Sequence, residues 1–403
     1  MSTPPPTAPA KSRTRSGKGG KKAPRRSTKG DGSGGSDARA LFADRLARLR
    51  KALGKQDADA MVVTSPLDVG YLTGFLGGDS WLVVGKSGAP VLISDFRYAE
   101  ELEHFADRAK IEIRPTGETM IEATARTLES LKSKHAAVQG EHMTISTRHA
   151  FAKRVGKKHV VDTDGIVLKL RRTKDASEVR LLHNAIRLQE KALTNVLPTI
   201  EPGMTELAIA ARLEAEMRTL GAQQASFETI IAAGATSAMP HYRPANRKVR
   251  ARDVLLIDWG ARKDGYGGDM TRTFAIGAWP KVMREVYEIV REAHMLAAEA
   301  LKPGARLAEV DAVARGHIAR HGYGERFGHS LGHGIGLAVH EQPSLSSRAG
   351  NDVLKPGDVV TNEPGIYLPG VGGVRLEDDY AIGDKGAKKL SSLPMDLRWA
   401  TLG

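Results

Sequence analysis

Leu255-Leu256-Ile257-Asp258-Trp259-Gly260 and Gly268-Asp269-Met270-Thr271-Arg272-Thr273 flank a turn-rich piece, Ala261–Gly267, that contains Asp264-Gly265. An apolar run and a Thr-containing run on either side of this turn-rich piece read as the two strands of a hairpin. A loop centred on Lys263 and Asp264 would set Asp258 directly opposite Asp269, with both side chains on one face. Two ionised carboxylates so placed repel each other unless a cation lies between them. The hairpin therefore predicts both a largely antiparallel sheet and a cation site on it.

Further acids and histidines lie downstream. Phe327–Gly336 carries His329 and His333 among glycines, and His340 follows shortly after. Such glycine density argues against a continuous helix, so His329 and His333 are not a helical zinc pair. The glycines instead allow tight turns around His333. Val359–Asn362 reads as a strand ending at Glu363 before Pro364-Gly365, and Gly373–Leu376 leads into Glu377. Arg375 and Glu377 are two apart and share a face on a strand. Asp258, Asp269, His333, Glu363 and Glu377 thus form an oxygen-rich set of the kind that suits a pair of divalent cations better than a single structural zinc.

Length and composition bound the rest. The 403 residues exceed one typical core, so two folded domains are expected. An apolar share of 41% is that of a globular protein. No run approaches the roughly eighteen apolar residues of a membrane span, and no signal peptide is apparent. There is no cysteine, which excludes disulfides, thiolate metal sites and cysteine nucleophiles. These features make a cytoplasmic protein the expectation. Residues 1–37 hold nine lysines and arginines against Asp31 and Asp37, with much Pro, Gly and Ser. This tail cannot bury enough apolar surface to order itself, so it reads as a disordered basic extension. A polyanion such as nucleic acid is expected to engage the chain only through that tail, if at all.

From Ala38 the pattern is an amphipathic helix to Leu53, with Asp37 as its cap. Strands follow at Ala60–Thr64, Trp81–Gly85, Val91–Asp95, Ile111–Arg114 and Ala136–Gln139, with helices at Arg97–Ala106 and Thr119–Leu131. The alternation predicts an α/β domain over 38–167, in which Asp95, Arg97 and Tyr98 are a structural or interface cluster. A charged linker, Lys169–Glu178, leads to an α+β domain over 177–403. Its expected helices are Ala176–Val196, Thr205–Leu220, Met283–Leu301 and Leu307–His321, and its strands include Val254–Gly260, Asp269–Ile276, Asp358–Glu363 and Gly373–Leu376.

Six ordered segments, Pro240–Tyr242, Asp258–Ala261, Gly268–Thr273, Gly328–Glu341, Asn362–Tyr367 and Gly373–Asp379, resemble the catalytic domain of the pita-bread metallopeptidases. Tyr71–Phe75 and Ser94–Tyr98 resemble the smaller creatinase-type domain that precedes it in the Xaa-Pro aminopeptidase and prolidase branch. The resemblance implies that Asp258 holds one metal, that Asp269 and Glu377 bridge two, and that His333 and Glu363 complete the second. It implies two divalent ions, manganese first with cobalt or zinc as alternatives, and a hydroxide shared between them as nucleophile. It places His241, His340, His329, Tyr367 and Arg375 around the substrate, with Glu363 as proton acceptor. The implied activity is removal of an N-terminal residue that precedes proline, by a homodimer. Alternatives are a prolidase restricted to dipeptides, with Arg375 anchoring the dipeptide carboxylate, and a non-catalytic nucleic-acid- or protein-binding relative. A metal-independent amidinohydrolase should lack the five ligands. Asn362 departs from the pattern, since relatives carry an apolar residue there; its amide could reach a ligand carboxylate.

Overall fold

The computed structural model describes residues 33–403. The expectation of a disordered tail therefore lies, up to residue 32, outside the described residues. The first helix, Ser33–Leu53, begins before the expected Ala38, so Asp37, the expected cap position, falls inside it. Leu46, Leu49 and Leu53 form its buried stripe.

Six strands form the first sheet, in the order Lys110–Ile113, Val91–Ser94, Trp81–Gly85, Ala60–Val63, Ala136–Gln139, Val160–Thr163. Strand alternation sends Met61, Val63, Leu82 and Val84 into one apolar cluster, and Ala60, Val62, Val83 and Val138 into another. Both faces are buried, as in α/β layers. Helix Met120–Ser130 starts at Thr119 through a reciprocal capping box with Glu122. Helices Pro66–Thr73 and Ile145–Val155 and strand Val160–Thr163 had no counterpart in the sequence reading. The first of these is buried along six consecutive residues and shows no one-sided stripe. The single helix expected at Arg97–Ala106 is instead a series of short turns, Phe96–Tyr98, Ala99–Leu102 and Glu103–Phe105. Only Leu102 is buried among these turns, too little to hold one continuous helix against the sheet. Asp95 accepts hydrogen bonds from Arg97 (2.7 Å) and Arg114 (2.9 Å), tying this stretch to the sheet edge.

The expected linker is partly helical, because Ile166–Arg172 forms a helix, and several charges in it and just after it form ion pairs. Arg172 pairs with Asp352 and Asp358, Lys174 with Glu341 (3.0 Å), and Arg45 with Asp175 (2.8 Å). Asp175 also caps helix Ala176–Val196, reciprocally with Glu178.

Beyond it, two sheets build the frame of the candidate site. One runs Thr401–Leu402, Met270–Ile276, Val254–Trp259, Ile230–Ala233; the other runs Glu341–Leu345, Gly332–Gly334, Val359–Asn362, Asp378–Gly383, Gly386–Lys389. All pairings are antiparallel except that of the short Thr401–Leu402. Helix Lys281–Ala300 packs on helix Leu307–Arg320 and on strand Gly372–Arg375. The Asp-Gly hairpin is present, with a correction to its register. Asp264 and Gly265 both adopt left-handed φ, 50° and 84°, as a two-residue type I′ turn demands. That turn is centred one residue later than expected, so Asp258 faces Thr271 rather than Asp269. A two-residue shift preserves the face, and Asp258 and Asp269 remain on the same side.

Candidate metal centre and substrate cavity

All five expected ligands line one cavity of about 550 Å³. Asp258 comes from the end of strand Val254–Trp259, and Asp269 stands just before Met270–Ile276. His333 is the middle residue of Gly332–Gly334. This strand runs so close to its neighbours that a Cβ on Gly332 would lie 2.1 Å from the Thr361 carbonyl oxygen, and one on Gly334 2.2 Å from that of Gln342. Glycine is thus required on both sides of the histidine. Glu363 follows Val359–Asn362, its backbone N–H donating to Leu331 O at 2.8 Å, and Glu377 lies between two strands with its N–H on Thr271 O.

The side chains converge. Asp269, His333 and Glu377 each offer a ligand atom within 4.8 Å of the others. His333 Nε2 is 3.6 Å from Asp269 Oδ2 and 3.4 Å from Glu363 Oε1. His333 Nδ1 donates to Gly334 O at 3.1 Å, which leaves the Nε2 lone pair facing the acids. Thr271 Oγ1 donates to Glu377 Oε2 at 2.7 Å, and Thr361 Oγ1 to Glu363 Oε1 at 3.3 Å. Asp258 Oδ1 and Glu377 Oε1 are buried with no hydrogen-bond partner among the described residues. Burial, then the neighbouring Asp258 and Glu363, pushes Asp269 well above the usual carboxylate range. Burial, then Asp269 and Glu363, does the same to Glu377. Burial pushes Glu363 up to about 7 although Arg375 opposes the shift. Unshared oxygens, an imidazole lone pair and crowded acids are what a divalent cation pair would satisfy, so the donor set fits such ions.

A second ring orients the first. Arg375, buried, donates from Nη2 to Asp258 Oδ2 (2.6 Å), from Nε to Thr271 Oγ1 (3.0 Å) and from Nη1 to Tyr367 Oη (2.9 Å). Tyr367 Oη in turn donates to His329 Nε2 at 2.8 Å, while His329 Nδ1 donates to Ser330 O. Burial lowers His329 to about 4, so its ring is neutral. The His340 ring lies 4.2 Å from that of His333, centroid to centroid. His241, His329, His340 and Arg375 all line the cavity, whereas Tyr367 stands behind it.

Two expectations change here. Arg375 is committed to three protein acceptors, which argues against its being a free anchor for a substrate carboxylate. Asn362 faces away from the ligands, because its amide donates to His294 O on helix Lys281–Ala300 at 3.0 Å. Several cavity or supporting residues were not singled out from sequence. Thr271 carried a signal, the two-residue spacing from Asp269 that puts both on one face. Asp379, which accepts from the Asp269 N–H (3.4 Å), had only its place beside Glu377. Phe227, Glu228, Arg243, Val339 and Ser344 at the cavity wall had no local signal.

Comparison with known proteins identifies the family. The model of metallopeptidase family M24 matches residues 180–384, and that of the creatinase/prolidase N-terminal domain matches 45–173. The uncharacterized peptidase YqhT of Bacillus subtilis is 38% identical over 353 residues, covering 88% of this chain and 99% of its own. The structure of an Xaa-Pro dipeptidase from Bacillus anthracis superposes with a TM-score of 0.86 at 34% identity, over 90% of this chain and 100% of that one. An X-Pro aminopeptidase from Thermotoga maritima gives 0.80 at 35%, over 86% and 99%. The expected α+β pita-bread domain behind an α/β creatinase-type domain is borne out. The chain belongs to metallopeptidase family M24, in the form that carries a creatinase/prolidase N-terminal domain.

Proposed function

We propose that this protein is a dinuclear-metal-dependent Xaa-Pro exopeptidase that removes an N-terminal residue preceding proline, with its N-terminal unit over 38–167 and its catalytic unit over 177–403. The carrying observation is the buried carboxylate cluster with unpartnered Asp258 Oδ1 and Glu377 Oε1. Asp258, Asp269, His333, Glu363 and Glu377 would hold the ions, manganese first among them. Bound there, two divalent cations supply a water nucleophile usable at neutral pH and Lewis-acid polarisation of the scissile carbonyl.

The chain's own groups do the rest. Glu363, whose Oε1 lies 3.4 Å from His333 Nε2 on the cavity wall, is suited to accept a proton and return it to the leaving nitrogen. His340 and His241 line the same wall and are suited to donate to the substrate carbonyl. Arg375 holds Asp258 and, through Tyr367, fixes the His329 ring. Among the described residues no helix is long and apolar enough to cross a membrane. A cytoplasmic homodimer acting on small peptides completes the reading, with nucleic acid engaged only through the basic segment at residues 1–37, if at all.

The test is a substrate panel with manganese added: Ala-Pro, Ala-Pro-Ala and Met-Ala-Ser, alongside metal analysis. Cleavage before proline with about two ions per chain supports the reading. Cleavage of Met-Ala-Ser alone, or full activity without metal, overturns it. Light scattering of the purified protein tests the dimer.

A further inference from the structure

The cavity has an inner wall and a mouth. Its inner wall carries Asp258, Asp269 and Glu377, all buried. Two arginines also line it, and they differ in kind. Arg375 is buried and committed to Asp258, Thr271 and Tyr367. Arg243 stands at the mouth with 81% of its side chain exposed, and its one ion pair among the described residues is with Glu228, also exposed, at 3.2 Å. An exposed pair of this kind contributes little and opens readily.

The backbone under Arg243 is held firmly. Glu206, fully buried at the start of helix Glu206–Thr219, accepts from Tyr242 Oη (2.8 Å) and the Ala245 N–H (3.2 Å), one on each side of Arg243. It also accepts from the Ala233 N–H and Thr236 Oγ1, both at 2.9 Å. A guanidinium on a pinned loop, held by a single exposed pair, is a prepared anion receptor, because its planar fork matches a carboxylate. A dipeptide whose scissile bond sits at the inner wall, where Asp258, Asp269 and Glu377 would hold the ions, turns its carboxyl end toward the mouth. The cavity volume, about 550 Å³, is in the range of single small-ligand sites.

We propose that Arg243 receives the C-terminal carboxylate of the substrate, displacing Glu228, and so gives this site a preference for short peptides with a free carboxylate, Xaa-Pro dipeptides above all. The inference rests on the Xaa-Pro reading above. Arg243 is here a specificity-determining residue that takes no part in bond cleavage.

The experiment measures kcat and KM of the metal-loaded full-length enzyme for Ala-Pro and for Ala-Pro amide. Wild type should favour the free acid by about tenfold or more in kcat/KM, the value of a charge-assisted hydrogen bond. Arg243→Met should raise KM for Ala-Pro by a similar factor with kcat little changed, and leave the amide within about twofold. Arg243→Lys should recover part of the loss. Glu228→Gln should lower KM for Ala-Pro, since it removes the competing carboxylate. Equal losses on acid and amide in Arg243→Met, or a wild type indifferent to amidation, would overturn the proposal while leaving the Xaa-Pro reading intact. Failure of wild type to cleave either compound overturns that reading and the inference with it.

Discussion

Arg171 grips two distant residues at once: Asp68 in helix Pro66–Thr73, at 2.8 Å, and Glu341, the neighbour of His340. All three side chains are buried, and Glu341 also accepts the Ala338 N–H at 2.9 Å. The N-terminal layer thereby braces the turn that presents Val339 and His340 to the cavity.

Removing Arg171 should leave Asp68 without its cation and Glu341 with Lys174 alone. Arg171→Met is expected to cost about 3–5 kcal/mol, read by urea unfolding. Turnover should fall as the His340 turn loosens, and Arg171→Lys should restore part of both. Unchanged stability in Arg171→Met would show that the brace contributes nothing.

Asp269→Asn should remove one of the proposed ligand carboxylates. Wild type should lose thermal stability on chelation and regain it with manganese, because an ion bound only by the folded state stabilises it. The variant should respond to neither treatment, bind fewer ions by mass spectrometry, and turn over about a thousandfold more slowly. Full metal content in the variant would refute the ligand assignment.

Gly334→Ala puts a methyl group where the Gln342 carbonyl oxygen lies. A strain of about 1–3 kcal/mol is expected, together with displacement of His333 and weaker metal retention. Gly328→Ala is the control, since nothing lies within 4 Å of a Cβ there. Comparable metal content in both variants would contradict the argument.

A pH prediction comes from a group remote from the cavity. Glu178 is buried, accepts from Tyr266 Oη at 2.9 Å, and is pushed by burial to about 7 despite Arg45 at 3.1 Å. A carboxyl raised in the folded state contributes fully below its unfolded value of 4.5 and loses that contribution as pH rises to about 7. The full loss is on the order of 3 kcal/mol. Glu178→Gln cannot ionise, so it should gain on wild type between pH 5 and 7 and no further above. A gap that stays constant across that range would rule this out, by thermal melts at each pH.

Much of the site was legible because its ligands sit where local signals are strongest. Asp258 and Asp269 flank an Asp-Gly turn, His333 lies among glycines, and Glu363 precedes Pro-Gly. Register was less legible, since choosing Asp264-Gly265 rather than Lys263-Asp264 as the turn moves the pairing by two residues. The bracing groups were not legible at all. Arg171 and Glu341 are 170 residues apart, and Glu206 and Tyr242 are 36 apart; no periodicity reports such contacts. Helix Pro66–Thr73 escaped for a different reason: buried on every side, it lacks the stripe by which helices are recognised.

The charged stretch around Arg171 bears on how this architecture can be recombined. Arg171, Arg172, Lys174 and Asp175 reach in both directions, to Asp68 and Arg45 on one side and to Glu341, Asp352 and Asp358 on the other. A chimaera cut here would orphan buried charges on both halves, whichever parent supplied the junction. The N-terminal layer is thus no interchangeable module. A successful graft would have to carry the junction and its acidic partners as one inherited unit.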